Sequence, residues 1–170
     1  MGKWYACIVF ALGVLIAAPA RAETGYDAWL RYAPITDRDA LKRYDKLPAT
    51  VVALGDSDLL AAGQQELIRG TRGMLGRTLR VEKELPDEPA FVLATFDTVK
   101  QSLPTVGKLP TLADDGYWLK TFTHDGKTYY LIASPNERGV LYGAFALLRM
   151  IGLHGEVAEL NVRDQPFAPI

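Results

Sequence analysis

The residues that first invite a chemical reading are Gly55-Asp56-Ser57, which close the apolar run "VVALG" and open the helix-like "DLLAAG". A serine at such a strand-to-helix turn can act as the nucleophile of ester hydrolysis. It then needs a histidine to accept its proton and an acid to orient that histidine. Hydrolases built on a Gly-Asp-Ser block carry this pair as Asp-x-x-His near the C-terminus. The two histidines here are His124 and His154, and the residues three positions before them are Thr121 and Ile151. Neither completes the motif, and His124 falls at the turn of an expected hairpin. The alternative is that Asp56 or Ser57 caps the following helix by accepting from its free amides, a contribution of about 1 kcal/mol. The missing partners favour the cap.

Other reactive constellations fail in the same way. The only cysteine, Cys7, lies near the N-terminus and the two histidines are far apart, so no thiolate–imidazole metal set can form. "DSD" at 56–58 lacks the rest of a calcium loop, and no His-Glu-x-x-His occurs. Gly70, Gly73 and Gly76 end a helix instead of opening one, so they are no phosphate loop. Asp114-Asp115 suggests a carboxylate pair for glycoside hydrolysis. Adjacent residues point different ways, however, and a solvated turn is the expectation. Tyr26, Trp29 and Tyr32 recur at a spacing of three. They could form a sugar-stacking platform, anchor a neighbouring domain or complete the chain's own core, and Trp118 joins them as a sugar-stacking candidate.

The elements that must position these residues start after a leader. Lys3, the apolar stretch Ile8–Ala18 and the Ala20-Arg21-Ala22 site read as a secretory signal peptide over residues 1–22. A secreted or periplasmic location follows. The sequence has 170 residues, so a mature domain would begin at Glu23 and contain no cysteine. Without Lys3 and Arg21 the 19 basic residues fall to 17 against 20 acidic ones, a net charge of −3. With no basic run, nucleic acid is not an expected partner. No later apolar run is long enough to span a bilayer, so no membrane association is expected once the leader is cleaved.

"TVVALG" (50–55) reads as a buried strand, and Leu59–Leu75 as an amphipathic helix stopped by Gly76. Gly70 and Gly73 should weaken its last turns by about 1 kcal/mol each relative to Ala. "AFVLATF" (90–96) reads as a second strand and is followed by a loop holding Pro104 and Pro110. "GYWLKTF" (116–122) and "KTYYLIA" (127–133) flank "THDG" and predict a hairpin turning on Asp125-Gly126. Ser134, Pro135 and Glu137 read as N-cap, first helical residue and capping-box partner of a helix reaching Gly152. "EVAELNV" (156–162) reads as an edge strand, and residues 165–170 as an exit linker. This order of elements predicts helices packed on a mixed sheet.

Several segments together resemble the N-terminal domain of α-glucuronidases, family 67 of the glycoside hydrolases. They are "ETGYDAWLRY", "VVALGDSDLLAAGQQELIRGTRGMLG", "DDGYWLKTF", "DGKTYYLIASPNERGVLYGAFALLRMI" and "FAPI". The resemblance covers residues 23–170 and lies in the order of the segments. It implies an α+β domain over 23–164: a mixed β-sheet with two helices packed on one face, zincin-like or hexosaminidase N-terminal-domain-like, with no metal site and no cofactor. It also implies that the turn at Ser57 has no catalytic role. The family removes (4-O-methyl-)glucuronic acid, α-1,2-linked to xylo-oligosaccharides, by inversion at carboxylates of a (β/α)8 barrel. The expectation is that this barrel would begin beyond Ile170, so no catalytic residue falls on this sequence. Its partners would be such a barrel, in cis or in trans, and xylo-oligosaccharide only through it.

Overall fold

The computed structural model describes residues 31–165. In chain order its elements are α1 (Arg38–Tyr44), β1 (Thr50–Ala53), α2 (Asp58–Leu75), β2 (Arg80–Glu82), β3 (Ala90–Thr95), α3 (Phe96–Ser102), β4 (Tyr117–His124), β5 (Lys127–Ser134), α4 (Glu137–Gly152) and β6 (Asn161–Asp164). A single 3-10 turn, Pro104–Val106, follows α3. The strands form one sheet in the order β2-β1-β3-β5-β4-β6. β2, β1, β3 and β5 are mutually parallel, and β4 runs antiparallel to both β5 and β6.

The centre of the sheet is buried on both faces, which is why β1, β3 and β5 read as near-continuous apolar runs. Alternate residues serve different cores. Val51, Phe91, Leu93, Leu119, Tyr130 and Ile132 face the first, with Leu60, Leu67 and Met74 of α2 and Val140, Leu147 and Leu148 of α4. Val52, Val92, Ala94, Trp118, Phe122 and Leu131 face the second, closed by Phe96 and Val99 of α3 and by Leu103 and Val106. The expected pair of long helices on one face is therefore present. The opposite face is covered as well, by α3 and the loop after it.

Two glycines read as weak points of α2 instead mark close approach. A Cβ on Gly70 would stand 2.5 Å from Leu148 Cδ2 of α4, and one on Gly73 would stand 2.7 Å from the Tyr32 carbonyl oxygen. The helix gives up propensity to let its neighbours in.

The hairpin forms as expected, with Asp125 at φ 46° and Gly126 at φ 75° in the turn. Other boundaries differ. Ser134 does not cap α4. It is the last residue of β5, and its hydroxyl accepts from the Asn136 amide at 3.2 Å. Asn136 is the cap, accepting from the Gly139 amide at 2.8 Å. The final strand starts at Asn161 instead of residue 156, because Val157 and Leu160 both turn into the first core. The segment before Pro48, expected to be irregular, holds α1. Asp37 caps it, and Ala40 and Tyr44 form its buried stripe. Phe96, expected to end a strand, opens α3 under a Thr95 cap. β2 has three residues, too few for a sequence signal.

Gly70→Ala tests the close approach. Helix propensity alone would stabilise by about 1 kcal/mol, whereas overpacking against Leu148 costs about 1–3 kcal/mol. Urea unfolding should show a net loss of stability, and a double-mutant cycle with Leu148→Ala should return a favourable coupling. A stabilised Gly70→Ala would contradict this packing.

Candidate functional site

Ser57 Oγ accepts from the Leu60 amide at 3.2 Å, and its extended backbone (φ −85°, ψ 152°) is that of an N-cap. It sits where β1 hands over to α2, at the edge of the sheet where the parallel strands end. Both histidines lie at the other edge. His124 ends β4, which runs the opposite way, and His154 follows α4 after that helix has crossed back over the sheet. Eight residues of β5 separate the edges, on the order of 20 Å. His124 Nδ1 is 3.1 Å from Thr105 Oγ1, and its Nε2 is 3.5 Å from Asp125 Oδ2. The His154 carbonyl accepts from Arg43 Nη2 at 3.2 Å. Ser57 therefore has no base within reach and works as the cap.

Asp114 and Asp115 separate in the structure, and the expectation of a solvated turn fails for Asp115. Asp114 is exposed, whereas Asp115 is 2% exposed and adopts φ 64°. Its carboxylate takes a two-pronged bond from Arg138, Nε to Oδ1 at 2.8 Å and Nη2 to Oδ2 at 2.6 Å. A third bond comes from Asn136 Nδ2 at 3.0 Å. The Arg138 hydrogen bonds, with Asn136 adding to them, outweigh burial and hold the Asp115 carboxyl below the usual carboxylate range. Asp115 is thus an ionised latch.

The same contacts explain the run Asn136-Glu137-Arg138-Gly139 that opens α4. Asn136 caps the helix through its oxygen and grips Asp115 through its nitrogen. Arg138 pairs with Asp115. Glu137 lies in the first turn, where a negative charge suits the helix dipole. Gly139 leaves no room for a side chain, since a Cβ would fall 2.0 Å from Ser134 Oγ and 2.7 Å from the Gly116 carbonyl oxygen.

Beside this latch lies an open crevice of about 450 Å³, lined by Leu59, Thr95, Asp97, Pro135, Asn136, Glu137 and Arg138. Its chemistry is sparse. Asp97 pairs with Lys100 at 2.8 Å, and Arg138 is engaged by Asp115. No nucleophile stands beside a base in the lining. Among the described residues no three histidine, cysteine, aspartate or glutamate side chains come together as a metal site.

The aromatic candidates divide. Tyr26 and Trp29 lie outside the described residues, as do the leader and positions 166–170 of the expected linker. Tyr32 is half-buried in its own domain. Its hydroxyl donates to Glu66 Oε1 at 2.6 Å, and the Arg69 guanidinium lies 5.1 Å from its ring centre. Burial first, and the Glu66 bond second, push its phenol well above the ordinary tyrosine value. Trp118 is 3% exposed in the second core, with Nε1 donating to Asn161 Oδ1 at 2.9 Å. Trp118 therefore offers no open ring face to a sugar in this domain, whereas Tyr32 stays partly exposed.

Comparison with known proteins gives these observations a context. Residues 28–147 match the family described as the glycosyl hydrolase family 67 N-terminus. Alpha-glucuronidase A of Emericella nidulans is 34% identical over 165 residues, 94% of this chain and 18% of that protein. Alpha-glucuronidase of Hypocrea jecorina is also 34% identical over 165 residues, 92% of this chain and 19% of its own length. The chain thus spans about a fifth of the curated relatives it matches. A solved family GH115 4-O-methyl-alpha-glucuronidase overlaps 62% of this chain at 17% identity and a TM-score of 0.47, too slight a likeness to carry any conclusion.

The latch has a pH signature. Asp115 has a depressed folded pKa, so its stabilisation is complete above its unfolded value of about 3.9. That stabilisation is lost as pH falls through the lower folded value. Asp115→Asn should lower Tm at pH 7 by about 5–10 °C and flatten the acid limb of the stability curve. Arg138→Lys keeps the charge without the fork and should fall between. An unchanged acid limb in Asp115→Asn would refute the latch. Ser57→Ala should cost about 1 kcal/mol in urea unfolding through loss of the cap and abolish no ester hydrolysis.

Proposed function

This chain belongs to the glycosyl hydrolase family 67 N-terminal family, and from that premise we propose that it is the non-catalytic N-terminal domain of an α-glucuronidase-type glycoside hydrolase. The observation that carries the reading is the use to which the described polar groups are put. Ser57 caps a helix, Asp115 latches one, and Asp97 is tied to Lys100. Glycoside hydrolysis by inversion needs two carboxyl groups facing each other across a sugar with a water between them. Of the two carboxylates that line the crevice, Asp97 is paired with Lys100 and Glu137 lies in the first turn of α4. The chemistry is assigned to a barrel outside these residues, joined in cis or supplied in trans.

The finer parts of the proposal rest on the sequence resemblance and on the sequence pattern. The substrate class is glucuronic acid side groups on xylan oligosaccharides, which makes the chain part of xylan breakdown outside the cell or in the periplasm. Residues 1–22 act as the leader, and residues 165–170 lead toward the barrel. Tyr26 and Trp29 act as docking anchors. The sheet with α2 and α4 on one face is proposed to be zincin-like and to lack the metal.

Purified chain incubated with aldouronic acids should release no glucuronic acid and should give flat calorimetric titrations against xylan oligosaccharides. Release of glucuronic acid would overturn the non-catalytic reading. Saturable heat with no release would replace it with a free-standing carbohydrate-binding module.

A further inference from the structure

The edge where β1, β3, β5 and β6 all end has a geometry that the helix caps alone do not use up. Thr95 pairs with Ser134, and Tyr117 pairs with Asp164. Trp118 opposite Ala133 brings Tyr117 opposite Ser134. Thr95, Ser134, Tyr117 and Asp164 therefore form one row across four strands. The crevice opens beside that row, between the starts of α2, α3 and α4, with Leu59 on its rim 39% exposed and Pro135 half-buried.

The chain leaves the sheet along the same row. Tyr117 Oη donates to Asp164 Oδ2 at 3.0 Å, and burial together with that acceptor pushes the phenol up to about 12. Gln165 Oε1 accepts from the Ala113 amide at 3.0 Å, and a Cβ on Gly116 would stand 3.1 Å from Gln165 Cβ. The exit is thus pinned to the loop that carries the Asp115 latch, and polypeptide that follows Gln165 starts from this edge. The charge here is predominantly acidic, although Arg138 and Arg163 are also exposed at this edge. Asp56, Asp58, Asp114 and Glu137 stand at or beside the helix starts, while the nearby cations Lys100 and Arg138 are already paired.

We propose that this edge is the face on which the catalytic portion of the enzyme packs, placing an apolar side chain against Leu59 and Pro135 and a basic one against Glu137. The inference rests on reading the chain as the N-terminal part of a longer α-glucuronidase. Three observations support it: the exit of β6 at this edge, the open apolar notch beside it and the acidic excess around it. The exposed side chains Val81 (48%) and Leu153 (69%) lie on the β2 edge and after α4, and they serve as controls.

The test is hydroxyl-radical labelling of the 170-residue chain alone and of the same chain grafted in place of the matching fifth of the Hypocrea jecorina alpha-glucuronidase. Labelling of Leu59 and Pro135 should fall at least about fivefold in the graft, while Val81 and Leu153 keep theirs. Protection of Val81 or Leu153 with Leu59 unchanged would overturn the assigned face and leave the domain reading intact. No protection anywhere would overturn both. Leu59→Arg and Glu137→Arg, both on the rim and both in the first turn of a helix, should lower the Tm of the graft by clearly more than they lower that of the isolated chain, where only the helix-dipole contribution is lost. Equal losses in the two would overturn the assigned face. If the graft does not fold, the intact Hypocrea jecorina enzyme gives the same readout. Its segment aligned with residues 57–60 should be protected relative to the one aligned with residues 80–82, and the reverse order overturns the proposal.

Discussion

A carboxylate removed from water must be paired, and Asp115 imposes that requirement on everything around it. It sits at a left-handed backbone position between the long loop and β4. Among the described residues its bonds come from the N-cap and the first turn of α4. The loop, the hairpin and the helix are therefore fixed to one another at a single point. Because Asn136 also caps α4, the direction of that helix is set by the same contact. α4 in turn supplies much of the first core and receives α2 through the notch at Gly70.

This dependence explains why a domain rich in polar motifs shows so little chemistry. A general acid or base needs freedom to change protonation in response to a substrate. Asp115 has none, being held ionised by a fork of hydrogen bonds. Ser57 has its oxygen directed at the helix it begins. The residues at the ends of the parallel strands, where open α/β sheets often bind ligands, have largely been committed to starting helices. What remains exposed there is predominantly acidic and partly apolar, and we read it as a surface for another part of an enzyme.

The long elements were legible in the sequence because each carried two signals. α2 had a seven-residue apolar recurrence and a glycine stop, and the hairpin had Asp-Gly between β-prone runs. The family likeness could be read from the order of these segments, and the match over residues 28–147 agrees with it. The short elements were hidden for physical reasons. α1 shows only one buried i, i+4 pair, Ala40 and Tyr44, and α3 begins inside an apolar run that reads as strand. Sequence alone favours Ser134 as the cap of α4, because Ser134 and Asn136 are both good capping residues two positions apart. The pairing of Ser134 with Thr95 in the sheet and the long-range bond from Asn136 to Asp115 favour Asn136. That bond links residues 21 positions apart, and no local pattern contains it. Aspartate-glycine before a strand together with Asn-x-Arg-Gly opening a helix was the available signal.

The most direct test of the central claim, that one ionised side chain fixes α4 to the sheet, is amide hydrogen exchange at Gly139 in the intact chain across pH. That amide donates to Asn136, whose own side chain is held by Asp115. After correction for the intrinsic rate, protection at Gly139 should collapse as Asp115 is protonated, while Leu67 and Leu147 in the first core remain protected. Protection at Gly139 that persists through the titration of Asp115, or is lost only together with that of the core, would contradict the account.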